Sequence, residues 1–169
     1  MEAMEAIMTR RSIRKFNGEP IADQELIKIL DAAMHAPSAR NSQSWHFIVE
    51  KQRQRLNELS EIHPYGKMLR SAGAAILVCG DLDLDPSLVY QIQNCSAATQ
   101  NALLAAHALG IGSVWLGIQP REERISSMVR FFKLPPNIVP VSLVALGWPL
   151  EKPVAHDRFK MDRIRYGSW

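Results

Sequence analysis

The sequence predicts a single α+β domain: a mixed sheet packed with helices, with one long central helix. Three observations carry that expectation. A chain of 169 residues, 47% hydrophobic and 22% charged, has the size and make-up of one folded domain with its own core. Stretches of helical and strand character alternate along it. The strands are few beside one long helix, which favours a mixed sheet covered by helices over a repeated βαβ wheel.

Taken in order, residues 2 to 9 suit a short helix. "EPIADQELIKILDAAMHAPS" then starts a second, with Asp23 as its cap and Leu26, Ile27, Leu30, Ala33 and Met34 as an apolar stripe, and Pro37 stops it. "WHFIVE" reads as a strand, and a polar helix follows from about Gln52 to Ile62 with Leu56, Leu59 and Ile62 at near-helical spacing. "HPYGK" is a turn. "AAILVCGD" is a continuous apolar run of strand length, the pattern of a strand buried on both faces. In "DPSLVYQIQNCSAATQNALLAAHALG" Asp85 is placed to cap, Pro86 to occupy the first helical position and Gly110 to follow the last turn. From Ala97 to Leu109 this longest helix is small and apolar on nearly every side, so burial all round is expected, in the core or against a second subunit. "SVWLG" is a short strand and "REERISSMVRFF" an amphipathic helix ended by Pro135 and Pro136. "IVPVSLVALGWP" is a long apolar strand in which Pro140 marks an edge or the beginning. The tail from Leu150 is polar and basic without regular pattern.

Charge and cysteine usage narrow the function classes. The net charge is +3 and the pI about 9.0, yet 17 acidic residues are spread among 20 basic ones, so no nucleic-acid partner is indicated. Cys79 and Cys95 are too few for a disulfide scaffold and suit reduced, buried thiols. The start "MEAMEAIMTRR" lacks the apolar core of a signal peptide, and no stretch approaches the roughly 18 apolar residues of a membrane span. A cytoplasmic protein without a membrane partner is expected.

Several stretches are candidates for chemistry. "RRSIRKF" packs Arg10, Arg11, Arg14 and Lys15 around Ser12. It is either an anion grip, since an arginine fork holds a phosphate through paired charge-assisted bonds, or a solvated polyanion patch. "HAPSARNSQSW" is a loop between helix and strand whose free N–H groups and Asn41 and Gln43 amides suit the edge of a planar heterocycle. The alternative is a turn in which Ser38, Asn41 and Ser42 satisfy their own backbone. "LGIGSVWLGI" is no nucleotide loop: Gly110 and Gly112 follow a helix, and Trp115 stands where a third glycine is needed. Asp81, Asp83 and Asp85 open like a calcium loop, but Pro86 and Ile92 occupy its glycine and glutamate positions, so helix capping is the better account. His35, His46, His63, His107 and His156 show no metal spacing, and no G-x-S-x-G elbow supports a hydrolase. In the tail Arg158, Arg163 and Arg165 are either a second anion grip or a solvated end.

In order along nearly the whole chain, these stretches resemble the FMN-dependent nitroreductase family. The family's R-R-S-x-R is matched by residues 10–14, and its P-S-x-x-N-x-Q-P-W loop by residues 37–45, with Ser44 where proline is usual. That departure loosens the loop slightly and removes no binding group. "AATQNALLAAHALGIGSVWLG" and "LVALGWP" before a basic tail also match.

The resemblance implies an α+β sandwich working as an intertwined homodimer, with FMN at the interface. The phosphate would be gripped by Arg10 and Arg11 together with Arg163 and Arg165, and more weakly by Arg158; Ser12 and Arg14 would reach the phosphate or the ring edge. Pro37 and Ser38 would lie against the flavin from the partner subunit, with Asn41 and Gln43 contacting it by their amides, and Trp115, Leu116 and Gly117 would line its other side. The activity implied is hydride transfer from NADH or NADPH through FMN to an acceptor such as a nitroaromatic or quinone, with no protein acid or base. Other flavin chemistry on the same scaffold (dehalogenation, enoate reduction, flavin destruction) and a non-enzymatic polyanion-binding module are the alternatives.

Overall fold

The computed structural model describes residues 1–154 and 157–169; His156 lies outside the described residues. Among these the helices are α1 (Ala3–Thr9), α2 (Asp23–Met34), α3 (Arg53–Ile62), α4 (Leu88–Ala108) and α5 (Glu122–Phe132). The strands are β1 (Trp45–Glu50), β2 (Ala74–Asp81), β3 (Gly112–Gly117) and β4 (Ile138–Gly147). The α+β class and the long helix stand.

The strand order is β1-β2-β4-β3, and every neighbouring pair is antiparallel. The mixed character expected of the sheet is confined to one parallel bridge, between Ser12 and Ser113. The connections explain this. Glu50 at the end of β1 pairs with Ala75, so α3 is an insertion in a hairpin that reverses the chain rather than a crossover. In the same way Gly117 pairs with Ser142, and α5 fills the excursion between β3 and β4.

Both faces of the sheet are covered, which is why β2 is buried at all eight positions and carries no polar alternation. On one face Ile76, Val78, Val144 and Leu146 pack with Leu26, Ile29 and Ala33 of α2 and Cys95, Ala98, Ala102 and Ala106 of α4. On the other, Leu77, Leu116, Leu143 and Ala145 pack with Leu56 and Leu59 of α3 and Met128 of α5. Leu56 and Leu59 are fully buried, contributing about 1.5–3 kcal/mol each through apolar burial.

Several local expectations are refined: Ala22 rather than Asp23 is the N-cap of α2. The buried stripe of α2 runs through Leu26, Ile29 and Ala33, while Ile27 and Met34 lie one helical phase away and are exposed. The N-cap of α4 is Ser87, whose hydroxyl accepts from Tyr90 N–H; Pro86 precedes it, and Asp85 instead holds the preceding turn by accepting from Ser87 N–H at 3.0 Å. Only one side of α4 is covered in the single chain, and Ala97, Leu104 and Ala105 on the other side remain partly exposed. Pro140 lies inside the central strand β4, opposite Cys79 at a register shift in the pairing with β2 and ahead of the first β3 pair. Its missing N–H is tolerated there because the ladder is already interrupted. The C-terminus of α4 follows expectation: Gly110 has φ of +76°, and Gly110 and Ile111 N–H close back on His107 and Ala106 carbonyls at 3.0 and 2.8 Å.

Residues 12–17 form an extended strap that ties both termini to the sheet. Ile13 N–H donates to Ser113 O, Asn17 N–H to Trp148 O, and Leu150 N–H to Lys15 O. Ile13 and Phe16 point into the core. Gly147 is needed beneath them: a Cβ there would stand 2.6 Å from the Phe16 ring.

Candidate functional site

β3 is an edge strand, and its open edge organises one half of the site. Ser113 O accepts from the strap, and Gly117 O accepts from two side chains, so these residues turn their backbone groups away from β4; Trp115, midway between, does the same by strand alternation. Three residues lie between the ends, about 13 Å of strand. At the Ser113 end lie the cations of the strap, and at the Gly117 end an uncrowded backbone with no side chain of its own.

The cations gather at the strap, where Glu151 Oε1 accepts from Arg14 N–H at 2.6 Å. Arg10 is half-buried, has no carboxylate partner among the described residues, and its guanidinium is held below its ordinary pKa first by burial, then by the charges of Arg158 and Arg11. Arg11 donates to the carbonyls of Met8 and Arg10 at 3.0 and 2.7 Å. Arg14 and Lys15 are exposed, and no salt bridge forms at either among the described residues. Crowding like charges at a half-buried position is unfavourable unless an anion is bound, and a phosphate has the charge and acceptor oxygens to do so.

Of the tail cations, Arg158 is the one whose charge is felt at Arg10. Arg165 is turned on its own segment, donating to Asp162 O and Ile164 O and lying 5.3 Å from the Trp169 ring centroid; Arg163 is exposed. Phe159, Met161, Ile164, Tyr166 and Trp169 of the same tail are exposed apolar side chains.

The second half of the site, residues 37–44, stands at the opposite edge of the sheet, where it leads into β1. Three strand spacings, about 14 Å, separate β1 from β3. Arg40, Asn41 and Gln43 have φ of 56°, 53° and 46°. Such values are uncommon outside glycine and cost about 1 kcal/mol or more each, so surrounding contacts must hold the loop. They do. Ala39 N–H donates to Asn94 Oδ1 at 2.9 Å, Asn94 Nδ2 donates to Ser42 Oγ at 3.2 Å, and Gln43 N–H donates to Ser38 Oγ at 3.0 Å. Arg40 pairs with buried Asp85 at 2.9 Å. The Ser44 hydroxyl, fully buried, donates to Gln91 Oε1 at 2.8 Å, and Gln91 Nε2 donates onward to the carbonyls of Asp81 and Asp85. Serine in place of proline therefore does not loosen this loop; it bolts it to α4. The Asn41 and Gln43 side chains are exposed and make no hydrogen bond among the described residues, and Pro37 is exposed beside them.

Of the remaining predicted site residues, Ser12 is half-buried at the Ser113 bridge and Trp115 packs partly against the α4 side of the core. The Leu116 side chain is buried in the opposite core, and by the same alternation its backbone groups face β4.

Sequence reading missed the supports of both halves. Gln91 and Asn94 are polar residues three apart on the buried face of α4, a signal that was available. His63 and Arg124 both reach Gly117 O, from the "HPYG" turn and from α5. Nothing in local sequence joins residues 54 and 7 positions from that glycine. Thiol chemistry is not served here: burial raises the pKa of both cysteines, Cys95 to about 12.

A strap of arginines, a braced amide loop and an open edge strand on an antiparallel sheet suit the binding of a phosphorylated cofactor. The model of the nitroreductase family matches residues 7–63 and 62–148, and the chain belongs to that family. It is 49% identical over 99% of its length, and 99% of the relative's, to an Archaeoglobus fulgidus protein provisionally named NADH dehydrogenase/NAD(P)H nitroreductase. A Methanothermobacter thermautotrophicus protein of the same provisional name is 46% identical over all of this chain and 88% of its own. Among solved structures, a protein of that provisional name from Parabacteroides distasonis superposes with a TM-score of 0.94 at 33% identity, covering 98% of each chain. A Desulfovibrio desulfuricans protein, provisionally a nitroreductase and solved in complex with FMN, is 32% identical with a TM-score of 0.84, covering 98% of this chain and 96% of its own.

Proposed function

We propose that this chain is an NAD(P)H-dependent FMN oxidoreductase that works in the cytoplasm as a homodimer and reduces nitroaromatics, quinones or similar acceptors. Bound FMN supplies the two-electron chemistry, accepting a hydride from NADH or NADPH and delivering it to the acceptor in a ping-pong cycle. The observation that carries this reading is the half-buried Arg10, which feels the charges of Arg158 and Arg11 and has no salt-bridge partner among the described residues, at one end of an open strand edge whose other end is Gly117.

The residues divide by what they can do. Arg10, with Arg158 and Arg11, binds the phosphate, and Ser12 offers a hydroxyl beside it. The outward backbone groups of Trp115 and Gly117 meet the polar edge of the ring. Arg14, exposed and without an ion-pair partner among the described residues, supplies positive charge to stabilise a ring that gains electrons. No side chain need act as acid or base.

Two features support the dimer. The braced loop that presents Asn41, Gln43, Pro37 and Ser38 stands across the sheet from the cations, so a second chain is the means of bringing it onto the same ligand. The half-covered face of α4, exposed Ile27 and Met34, and the apolar tail that carries Arg163 and Arg165 supply surface for that chain to bury.

The test is the absorption spectrum of the purified protein, with released cofactor identified by chromatography, alongside sedimentation equilibrium. A yellow protein releasing FMN, with twice the 19.0 kDa chain mass, is expected. A colourless monomer that does not respond to added FMN overturns the reading. Dehalogenation or enoate reduction is separated from nitro and quinone reduction by assaying one preparation against a panel of acceptors.

A further inference from the structure

We propose that His63 and Arg124 are positioning residues that clamp the Gly117 carbonyl and thereby aim the outward N–H of the same residue at the ring of the bound flavin. The inference rests on the FMN reading given above and adds to it two residues that touch neither phosphate nor ring.

The geometry is specific. His63 is 2% exposed. Its Nδ1 accepts from Tyr65 N–H at 3.2 Å, which leaves Nε2 as the protonated nitrogen, and Nε2–H donates to Gly117 O at 3.1 Å. Arg124 Nη1 donates to the same oxygen at 2.8 Å while its guanidinium lies 5.3 Å from the Tyr65 ring centroid. The carbonyl thus receives two donors that arrive from separate elements, the turn after α3 and the first turn of α5. An edge-strand carbonyl needs neither, because water would satisfy it.

The consequence follows from strand geometry. In an edge residue that faces outward, N–H and C=O lie on one side of the strand in adjacent peptide planes joined through φ and ψ, so holding the carbonyl restrains those angles and with them the direction of the amide hydrogen. Gly117 has no Cβ to limit its backbone, and an added Cβ would meet nothing nearer than Arg124 Nη1 at 4.0 Å, so restraint must come from hydrogen bonds. Arg124 also sets a fixed positive charge beside the strand end. Burial holds the His63 pKa below its ordinary value, with the hydrogen bond to Gly117 O opposing it and the charge of Arg124 adding to it.

The test compares wild type, His63→Gln, His63→Leu and Arg124→Met, each stripped and reloaded with FMN. Flavin affinity is measured by fluorescence quenching, midpoint potential against reference dyes, and kcat and KM with NADH and one quinone. His63→Leu and Arg124→Met are expected to weaken FMN binding about fivefold, as loss of one such bond implies. Both should lower the midpoint potential and depress kcat more than KM, while His63→Gln, which keeps a donor, recovers most of each. Wild-type values in Arg124→Met and a folded His63→Leu, or no rescue by glutamine, overturn the clamp and leave the FMN reading standing. If His63→Leu does not fold, Arg124→Met alone decides. Failure of wild type to bind FMN overturns the reading beneath it.

Discussion

Ser44, fully buried, donates its hydroxyl hydrogen to Gln91 Oε1 at 2.8 Å, and so joins the loop before β1 to the middle helix of the fold. Ser44→Ala leaves that oxygen without its donor in a dry setting, a loss of about 1–3 kcal/mol. Urea denaturation of the apo protein should show the midpoint falling with little change in slope. If the loop serves the flavin of the partner chain, FMN affinity falls with it. An unchanged midpoint would mean that water or Ser42 replaces the bond.

Arg10 is expected to behave in the opposite way. Its half-buried charge is opposed by Arg158 and Arg11, so Arg10→Met should leave the apo protein as stable as wild type or more so. In the same variant FMN binding should weaken about tenfold or more, the loss of at least one charge-assisted bond to phosphate. Thermal melts with and without FMN check both halves. A loss of apo stability with unchanged FMN affinity would make Arg10 structural.

Gly147 lies under the strap. Gly147→Ala places a Cβ 2.6 Å from Phe16, a backbone-mounted clash that the ring can relieve only by shifting. A cost of about 1–3 kcal/mol is expected, as for other overpacked core positions. Because Phe16 and Arg14 share the strap, weaker FMN binding should accompany the lower melting temperature.

Acid should destabilise the folded chain through two histidines. Burial, with Arg124, lowers the His63 pKa, and burial, with Arg10 and Arg11 outweighing Glu5, lowers that of His107. The unfolded chain therefore binds protons that the folded chain refuses. Their contribution is present in full above the ordinary histidine value of 6.5 and is lost as pH falls through the lowered folded values. Melting temperature of the apo protein should be flat from about pH 7 upward on this account and should fall below about 6.5. His63→Gln should flatten the fall. An equal slope in that variant would assign it to other groups.

Much of the fold was legible in one dimension. Gly110 ends its helix through positive φ, while Pro37 and Pro135 stand three residues beyond the last helical residues of α2 and α5, the stop of α5 being Lys133 at φ of 53°. The unbroken apolar run of β2 announced burial on both faces. Periodicity read less well where two phases compete. In α2 the choice between Ile27 and Ile29 as the inward residue depends on what the helix packs against, and α4 settled it.

The chain by itself determined which groups are available: cations near both ends, free amides in one loop, few strands and one long apolar helix. Only the tertiary structure decided their arrangement. It set the sheet antiparallel, set the amide loop across the sheet from the strap, and brought His63 and Arg124 to one carbonyl. The physical reason is range. Capping, turn and burial preferences act over a few residues and leave a mark in the sequence, whereas strand order, edge position and the meeting of donors from distant elements arise from packing the whole chain at once.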